Sequence, residues 1–125
     1  MDSMLTLMKR FRAAYAKADR SELLAVTTDD FEWHQHYGTN ESDAPSGRVL
    51  VGIDALLDEL TWRRSHWSNV RYDNLEERAA SDLLVQTFTI SGDEDGKRFA
   101  AKAVDLYPVR DGRISRKDTY WKFLK

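Results

Sequence analysis

The 125-residue chain contains no cysteine, which excludes disulfide bonds, thiolate nucleophiles and cysteine-ligated metals. No apolar run approaches the roughly 20 residues that a membrane-spanning helix needs. The N-terminal residues lack the basic and apolar regions of a secretion signal. The net charge of −2 gives no basic excess, so nucleic acid is not expected as a partner. We therefore expect a cytoplasmic protein that engages neither membranes nor nucleic acid.

The composition, with 42% hydrophobic and 32% charged residues, suits a single globular domain over residues 1–125. Apolar residues at three- and four-residue spacing predict a first helix from Met4 to Ala18. A short second helix is predicted from Ser21 to Val26, with Asp19 as its cap, and a third helix begins at Gly52.

The remaining segments show the alternation and the turn residues of strands. Strands are predicted over residues 31–37, 48–51, 70–79, 83–90, 98–109 and 114–123, with a tight turn at Asp111-Gly112 between the last two. Helices followed by a run of antiparallel strands indicate the α+β class. We expect three N-terminal helices packed in the concavity of a curved antiparallel sheet.

Asp105 is the best chemical candidate, because it lies in the middle of a predicted strand among small and apolar neighbours. Aromatic walls would remove solvent from this carboxyl and raise its pKa, as suits a general acid or base. The alternative is a structural role, in which Asp105 pairs with Lys102, Lys117 or a tyrosine hydroxyl.

Aromatic residues from separate elements are candidates for the wall of a pocket that holds a flat apolar ligand. These residues are Tyr15, Trp33, Tyr37, Tyr107, Tyr120 and Trp121. Trp33, Tyr107 and Trp121 have the strand parity expected to face inward. The alternative is that the rings form ordinary core, with Trp33 and Trp121 packed on each other and no cavity between them.

His34 and His36 share one face of a predicted strand, opposite Trp33 and Gln35. Two imidazoles at this spacing can ligate one metal ion, with Glu32 as a third ligand. No fourth ligand follows at a fixed spacing, so we predict no metal site and no cofactor. Alternatively, the histidines lie on the outer face of the sheet.

Basic residues in two segments are interpreted as surface features. Arg63-Arg64-Ser65-His66 ends a predicted helix, where positive charge complements the helix dipole. Lys117 lies with Arg116 and Lys122 in the last predicted strand, and we interpret these side chains as a solvated face.

Six short segments follow one another in an order and spacing that identify a family resemblance. They are Ala18-Asp19, Asp29-Asp30-Phe31-Glu32-Trp33-His34, Gly52-Ile53-Asp54-Ala55-Leu56-Leu57, Asp105-Leu106-Tyr107, Asp111-Gly112-Arg113-Ile114 and Thr119-Tyr120-Trp121. In these segments the chain resembles the nuclear transport factor two-like superfamily, especially its SnoaL-like and ketosteroid-isomerase-like branches. The resemblance implies a cystatin-like cone or barrel around a deep, mostly apolar cavity. It also implies a homodimer through the outer sheet face and a catalytic imidazole at His34.

The chain departs from the residue patterns of the better-known enzymes in that superfamily. By resemblance, the oxyanion tyrosine of the isomerases falls on Phe11 and their general base on Gln35, so only the second oxyanion carboxyl is kept, as Asp105. The arginine and the final-strand acid of the epoxide hydrolases fall on Ala103 and Thr119. None of these chemistries is therefore expected intact.

The sequence thus predicts a protein that binds a small apolar molecule, with Asp105 and His34 as candidate catalytic residues. The expected activity is that of a cofactor-independent lyase, isomerase or hydrolase. The alternative is a non-catalytic ligand-binding or dimerisation module of the same fold. The predicted ligand-binding residues are Tyr15, Trp33, Gln35, Tyr37, Tyr107, Thr119 and Trp121.

Overall fold

The computed structural model describes residues 3–125, except for the side chains of Ser3 and Asn40. Its helices are α1 (Ser3–Lys17), α2 (Arg20–Val26) and α3 (Gly52–His66), and a short 3₁₀ helix spans Asn40–Ser42. The Asp19 carboxylate accepts a hydrogen bond from the Glu22 backbone N–H at 3.2 Å, so the predicted cap of α2 is confirmed. Within this part of the chain no helix is both long and apolar enough to cross a membrane.

Within residues 3–125, six strands form one sheet. They are β1 (Thr27–His36), β2 (Arg48–Val51), β3 (Trp67–Ala80), β4 (Leu83–Glu94), β5 (Lys97–Arg110) and β6 (Arg113–Phe123). The order across the sheet is β2-β1-β6-β5-β4-β3, and every neighbouring pair is antiparallel except β1 and β6. The predicted α+β class, with three helices and a curved sheet, is confirmed. The parallel β1–β6 pair corrects the expectation of a purely antiparallel sheet.

Local sequence explains where several elements begin and end. Asp111 and Gly112 have φ values of +54° and +77°, as the tight turn predicted between β5 and β6 requires. Helix α2 ends at Val26, and residues Thr27–Asp30 already belong to β1. The Thr27 hydroxyl donates to the Leu23 carbonyl at 2.7 Å, so a single residue both closes α2 and begins the strand.

The hydrophobic core lies between α1, α3 and the inner face of the sheet. The apolar stripe of α1 is buried as predicted, through Leu7, Met8, Phe11 and Ala14. The core cluster also contains Leu23, Val26, Phe31, Trp33, Leu50, Ile53, Leu56, Leu84, Tyr107 and Ile114.

A row of polar side chains crosses the inner face of all six strands. In register from β2 to β3, its members are Arg48, Gln35, Thr119, Asp105, Gln86 and Glu77. Gln35, Asp105 and Thr119 are at most 2% exposed. Buried charged groups need hydrogen-bonding partners. This row supplies such partners, so a charged side chain in the interior is expected to lie beside it.

Candidate functional site

Asp105, at the middle of this row, is buried and accepts hydrogen bonds through both carboxylate oxygens. It accepts hydrogen bonds from Lys117 Nζ at 3.0 Å and from the Tyr107 hydroxyl at 3.3 Å on one oxygen, and from the Thr119 hydroxyl on the other. Trp33 Nε1 in turn donates to Thr119 Oγ1 at 2.9 Å. Pairing with Lys117 and a tyrosine hydroxyl is what we expected if Asp105 had a structural role.

Lys117 is a buried cation, and its placement corrects our interpretation of it as part of a solvated face. Its side chain is 6% exposed, and Nζ also donates to the Tyr107 hydroxyl at 2.8 Å. Burial lowers the pKa of Lys117, while the charge of Asp105 opposes that shift. Burial, followed by the charge of Asp105, raises the pKa of Tyr107 well above its usual value. The ammonium group lies 4.7 Å from the ring centre of Tyr15 and 5.2 Å from that of Trp33.

Hydrogen bonds extend this network to α1. The Tyr107 hydroxyl lies 3.2 Å from Gln86 Oε1, and Gln86 Nε2 donates to Glu77 at 2.8 Å. Glu77 forms an ion pair with Arg12 on α1. The polar row is therefore connected from the buried acid to the surface of the first helix.

A cavity of about 520 Å³ lies beside the Asp105–Lys117 pair. Its walls are mainly aromatic and aliphatic, and the ionisable groups that border it include Asp105 and four cations, Arg12, Arg63, Arg64 and Lys117. All but two of the predicted site residues border this cavity, namely Tyr15, Trp33, Tyr37, Asp105, Tyr107, Thr119 and Trp121. The two exceptions are Gln35 and His34. The ligand-binding role of these residues stays a prediction.

Arg63 enters the cavity wall from α3, which corrects its interpretation as part of a basic patch at the helix end. Its guanidinium forms a buried ion pair with Glu59 at 3.0 Å and donates to the Tyr37 hydroxyl at 2.7 Å. It also lies over the rings of Trp33 and Trp67, 4.9 Å and 4.4 Å from their centres. Planar guanidinium groups stack well on such rings, which explains how Arg63 is accommodated inside.

A second cavity, of about 1020 Å³, lies on the far side of a wall made by Tyr37, Trp67 and Trp121. Gln35 borders this second cavity rather than the first, and its Oε1 accepts from Arg48 at 2.9 Å. Gln35 Nε2 and Trp121 Nε1 are buried and have no hydrogen-bond partner among the described residues.

His34 does not share a cavity with Asp105. It lies on the outer face of β1, where Nδ1 is 3.0 Å from the Ser46 carbonyl and Nε2 is 2.9 Å from Glu32. The alternation of β1 is the reason, because Trp33 and Gln35 take the inner face. The structure thus separates the two residues predicted to act together in catalysis.

The model of the SnoaL-like domain family matches residues 8–117. The chain belongs to the SnoaL-like family. A search of curated proteins finds no match to this SnoaL-like chain.

Solved structures show the same fold. An NTF2-like protein from Burkholderia xenovorans matches with a TM-score of 0.78 and 22% identity, covering 96% of this chain and 89% of that one. A proposed polyketide cyclase from Xanthomonas campestris matches with a TM-score of 0.72 and 16% identity, covering 96% and 90%. A protein from Xanthomonas campestris described as having a cystatin-like fold matches with a TM-score of 0.69 and 22% identity, covering 97% and 91%. Together with the match to the SnoaL-like family model, this shared fold confirms the predicted superfamily.

Periodicity in the sequence indicates the buried positions of Lys117 and Arg63, which we predicted to lie on the surface. Lys117 has the same strand parity as Thr119 and Trp121, which we had placed inside. Arg63 is four residues after Glu59 and seven after Leu56, so it continues the buried face of α3. In both cases we gave residue type more weight than periodicity.

Proposed function

We propose that the SnoaL-like chain binds a small, flat, mostly apolar molecule carrying an oxygen acceptor, and that Asp105 transfers a proton to or from it. The observation that carries this proposal is the buried Asp105–Lys117 pair at the edge of an aromatic cavity of about 520 Å³. A cavity of this size, with apolar walls and few polar groups, is typical of small-molecule sites.

Lys117 can donate a hydrogen bond to the oxygen of such a ligand. An ammonium group has three N–H donors, and the described partners of Lys117 are Asp105 and Tyr107. The third N–H is thus available for a carbonyl oxygen. The cations that border the cavity favour an oxygen-bearing ligand over a purely hydrocarbon one.

Asp105 has the capacity to accept a proton from carbon next to that carbonyl. A carboxylate offers about four acceptor positions, and Lys117, Tyr107 and Thr119 use three of them. The carbon–hydrogen bond breaks, its proton passes to Asp105, and its electron pair forms an enolate whose oxygen is stabilised by the Lys117 N–H. This step is common to isomerases and lyases that use no cofactor.

Binding is tested by tryptophan fluorescence and thermal shift with aromatic ketones, quinones and lactones. Wild type and the surface variant Lys122→Met should respond equally, whereas Asp105→Ala and Trp33→Ala should lose the response. Equal stabilisation of all four proteins would place the ligand elsewhere. If no compound of this class raises the melting temperature of the wild type, the binding proposal is wrong.

Proton transfer is tested separately by NMR, through exchange of the ligand's α-hydrogens with D₂O. We expect exchange with wild type and Lys122→Met and a loss of at least about 100-fold in Asp105→Asn. Binding without exchange would favour the alternative, a non-catalytic ligand-binding module.

A further inference from the structure

A second cluster of polar side chains lies on the outer face of the sheet, away from both cavities. It consists of Glu32, His34 and His36 on β1 and of Asp118 on β6. His34 and Asp118 are register partners in the parallel β1–β6 pair. One ring nitrogen of each histidine and a carboxylate oxygen of Asp118 all lie within 4.8 Å of one another.

We propose that His34, His36 and Asp118 bind one divalent transition-metal ion, such as Zn²⁺, at this outer face, with Glu32 or water as the fourth ligand. The proposal does not depend on the function assigned to the cavity.

The hydrogen bonds of His34 call for a positive charge in the cluster. Its Nδ1 faces the Ser46 carbonyl and its Nε2 faces the Glu32 carboxylate, so acceptors stand at both ring nitrogens. A neutral imidazole has only one N–H and can satisfy only one of them. If Nδ1 donates to Ser46, the lone pair of Nε2 is directed at a carboxylate, and a cation between the two removes that repulsion.

The surroundings hold each ligand in place before an ion arrives. The Ser46 carbonyl orients the His34 ring, as backbone carbonyls do for metal-ligating histidines. The His36 ring is stacked on Tyr120, with ring centres 4.2 Å apart and planes 4° apart. The Tyr120 hydroxyl donates to Asp118 Oδ2 at 3.2 Å, which leaves Oδ1 on the side of His36 Nε2, 3.0 Å away.

The distances and ligand types indicate which ion fits. Zn²⁺ bonds of about 2.0–2.1 Å place tetrahedral ligand atoms about 3.4 Å apart. The His36–Asp118 pair is already near that spacing, and the remaining separations must contract by no more than about 1.4 Å. Two imidazoles with a carboxylate favour Zn²⁺, Co²⁺ or Ni²⁺ over Mg²⁺ and Ca²⁺, which prefer sites built wholly of oxygen.

Charge also favours a metal ion. Among the described residues, the ion pairs of Glu32 and Asp118 involve only the two histidine rings. With neutral rings the cluster therefore carries two negative charges, which one divalent ion balances. The histidines and Asp118 are largely shielded from solvent, while Glu32 is 41% exposed and gives the ion an open side.

The experiment uses the full chain without a polyhistidine tag, first treated with EDTA. Titration with Co²⁺ should give the visible absorption bands of a tetrahedral site at one ion per chain, and Zn²⁺ should displace it. We expect His36→Gln and Asp118→Asn to weaken Zn²⁺ binding by at least about 100-fold in calorimetry. His66→Gln is the matched control, because His66 stacks on Trp62 at the end of α3 and should leave binding unchanged.

Three results would overturn the proposal. The first is that folded wild type shows no Co²⁺ absorption bands at about 0.1 mM metal. The second is binding that survives His36→Gln and Asp118→Asn. The third is binding that His66→Gln abolishes. Circular dichroism of each variant distinguishes lost binding from lost folding, and the wild-type titration stands even if a variant does not fold.

Discussion

The buried Asp105–Lys117 pair makes a quantitative prediction about stability. Their side chains are 1% and 6% exposed, so removing one partner leaves an uncompensated charge in the interior. We expect Asp105→Asn to lower the free energy of unfolding by about 3–5 kcal/mol, and Lys117→Met by a similar amount. This is a large fraction of the roughly 5–15 kcal/mol that stabilises a typical domain.

The double variant should be far more stable than the sum of the single changes implies. With both charges removed, neither side chain is left with an unpaired charge, and we expect a net loss of about 0–2 kcal/mol. The coupling energy would then be at least about 4 kcal/mol, above the roughly 0.5–3 kcal/mol that residues in direct contact usually show.

Equilibrium urea unfolding at low temperature measures all four proteins of this cycle. Each single change should move the midpoint by more than about 1 M, given the usual urea dependence of 1–3 kcal/mol per molar. Lys122→Met, an exposed position on the same strand, should change stability by less than about 0.5 kcal/mol. Additive single effects, or single effects below about 1 kcal/mol, would show that the pair is not an isolated charge pair in a dry interior.

Two further predictions concern alkaline pH and assembly. Burial raises the pKa of Tyr15 to about 12 and that of Tyr107 well above its usual range, so both bind their protons more tightly when folded. For Tyr15 this stabilisation is complete below about pH 10 and is lost as the pH rises through about 12, and the stabilisation from Tyr107 is lost in the same direction. The ionisation of both tyrosines, followed at 295 nm, should therefore coincide with unfolding rather than precede it. Assembly through the outer sheet face is also predicted. Val104 is 37% exposed there, and we expect a homodimer in sedimentation that Val104→Asp converts to monomer; a monomeric wild type at 0.1 mM would contradict this expectation.

Most of the fold could be predicted because each element carries its own periodicity. The alternation of β1 correctly separated Trp33 and Gln35 from His34, and the stripe of α1 identified its core residues. The parallel pairing of β1 with β6 could not be predicted this way. The alternation within a strand shows which side chains face inward. It does not show which distant strand lies beside it or in which direction that strand runs.

The candidate site could be predicted only in part, because charged side chains are usually exposed and a sequence does not show which of them find a buried partner. Asp105 and its aromatic neighbours border one cavity as expected. Lys117 and Arg63 also border this cavity, where they form ion pairs with Asp105 and Glu59. Amino-acid composition does not predict that a lysine will pair with a buried carboxylate. Gln35 has the expected inward direction but lies beyond the wall of three rings that divides the interior.

The strand order has a consequence for how the protein is made. β6, the last of the six strands to leave the ribosome, is an interior strand of the sheet, between β1 and β5. Until β6 emerges, no strand pairing joins the β2–β1 pair to the β3–β4–β5 meander. The edges of β1 and β5 that β6 will cover are then free to pair with other nascent chains. A chaperone that shields those edges during translation would therefore raise the yield of native protein, and a message truncated before Arg113 would produce material that aggregates.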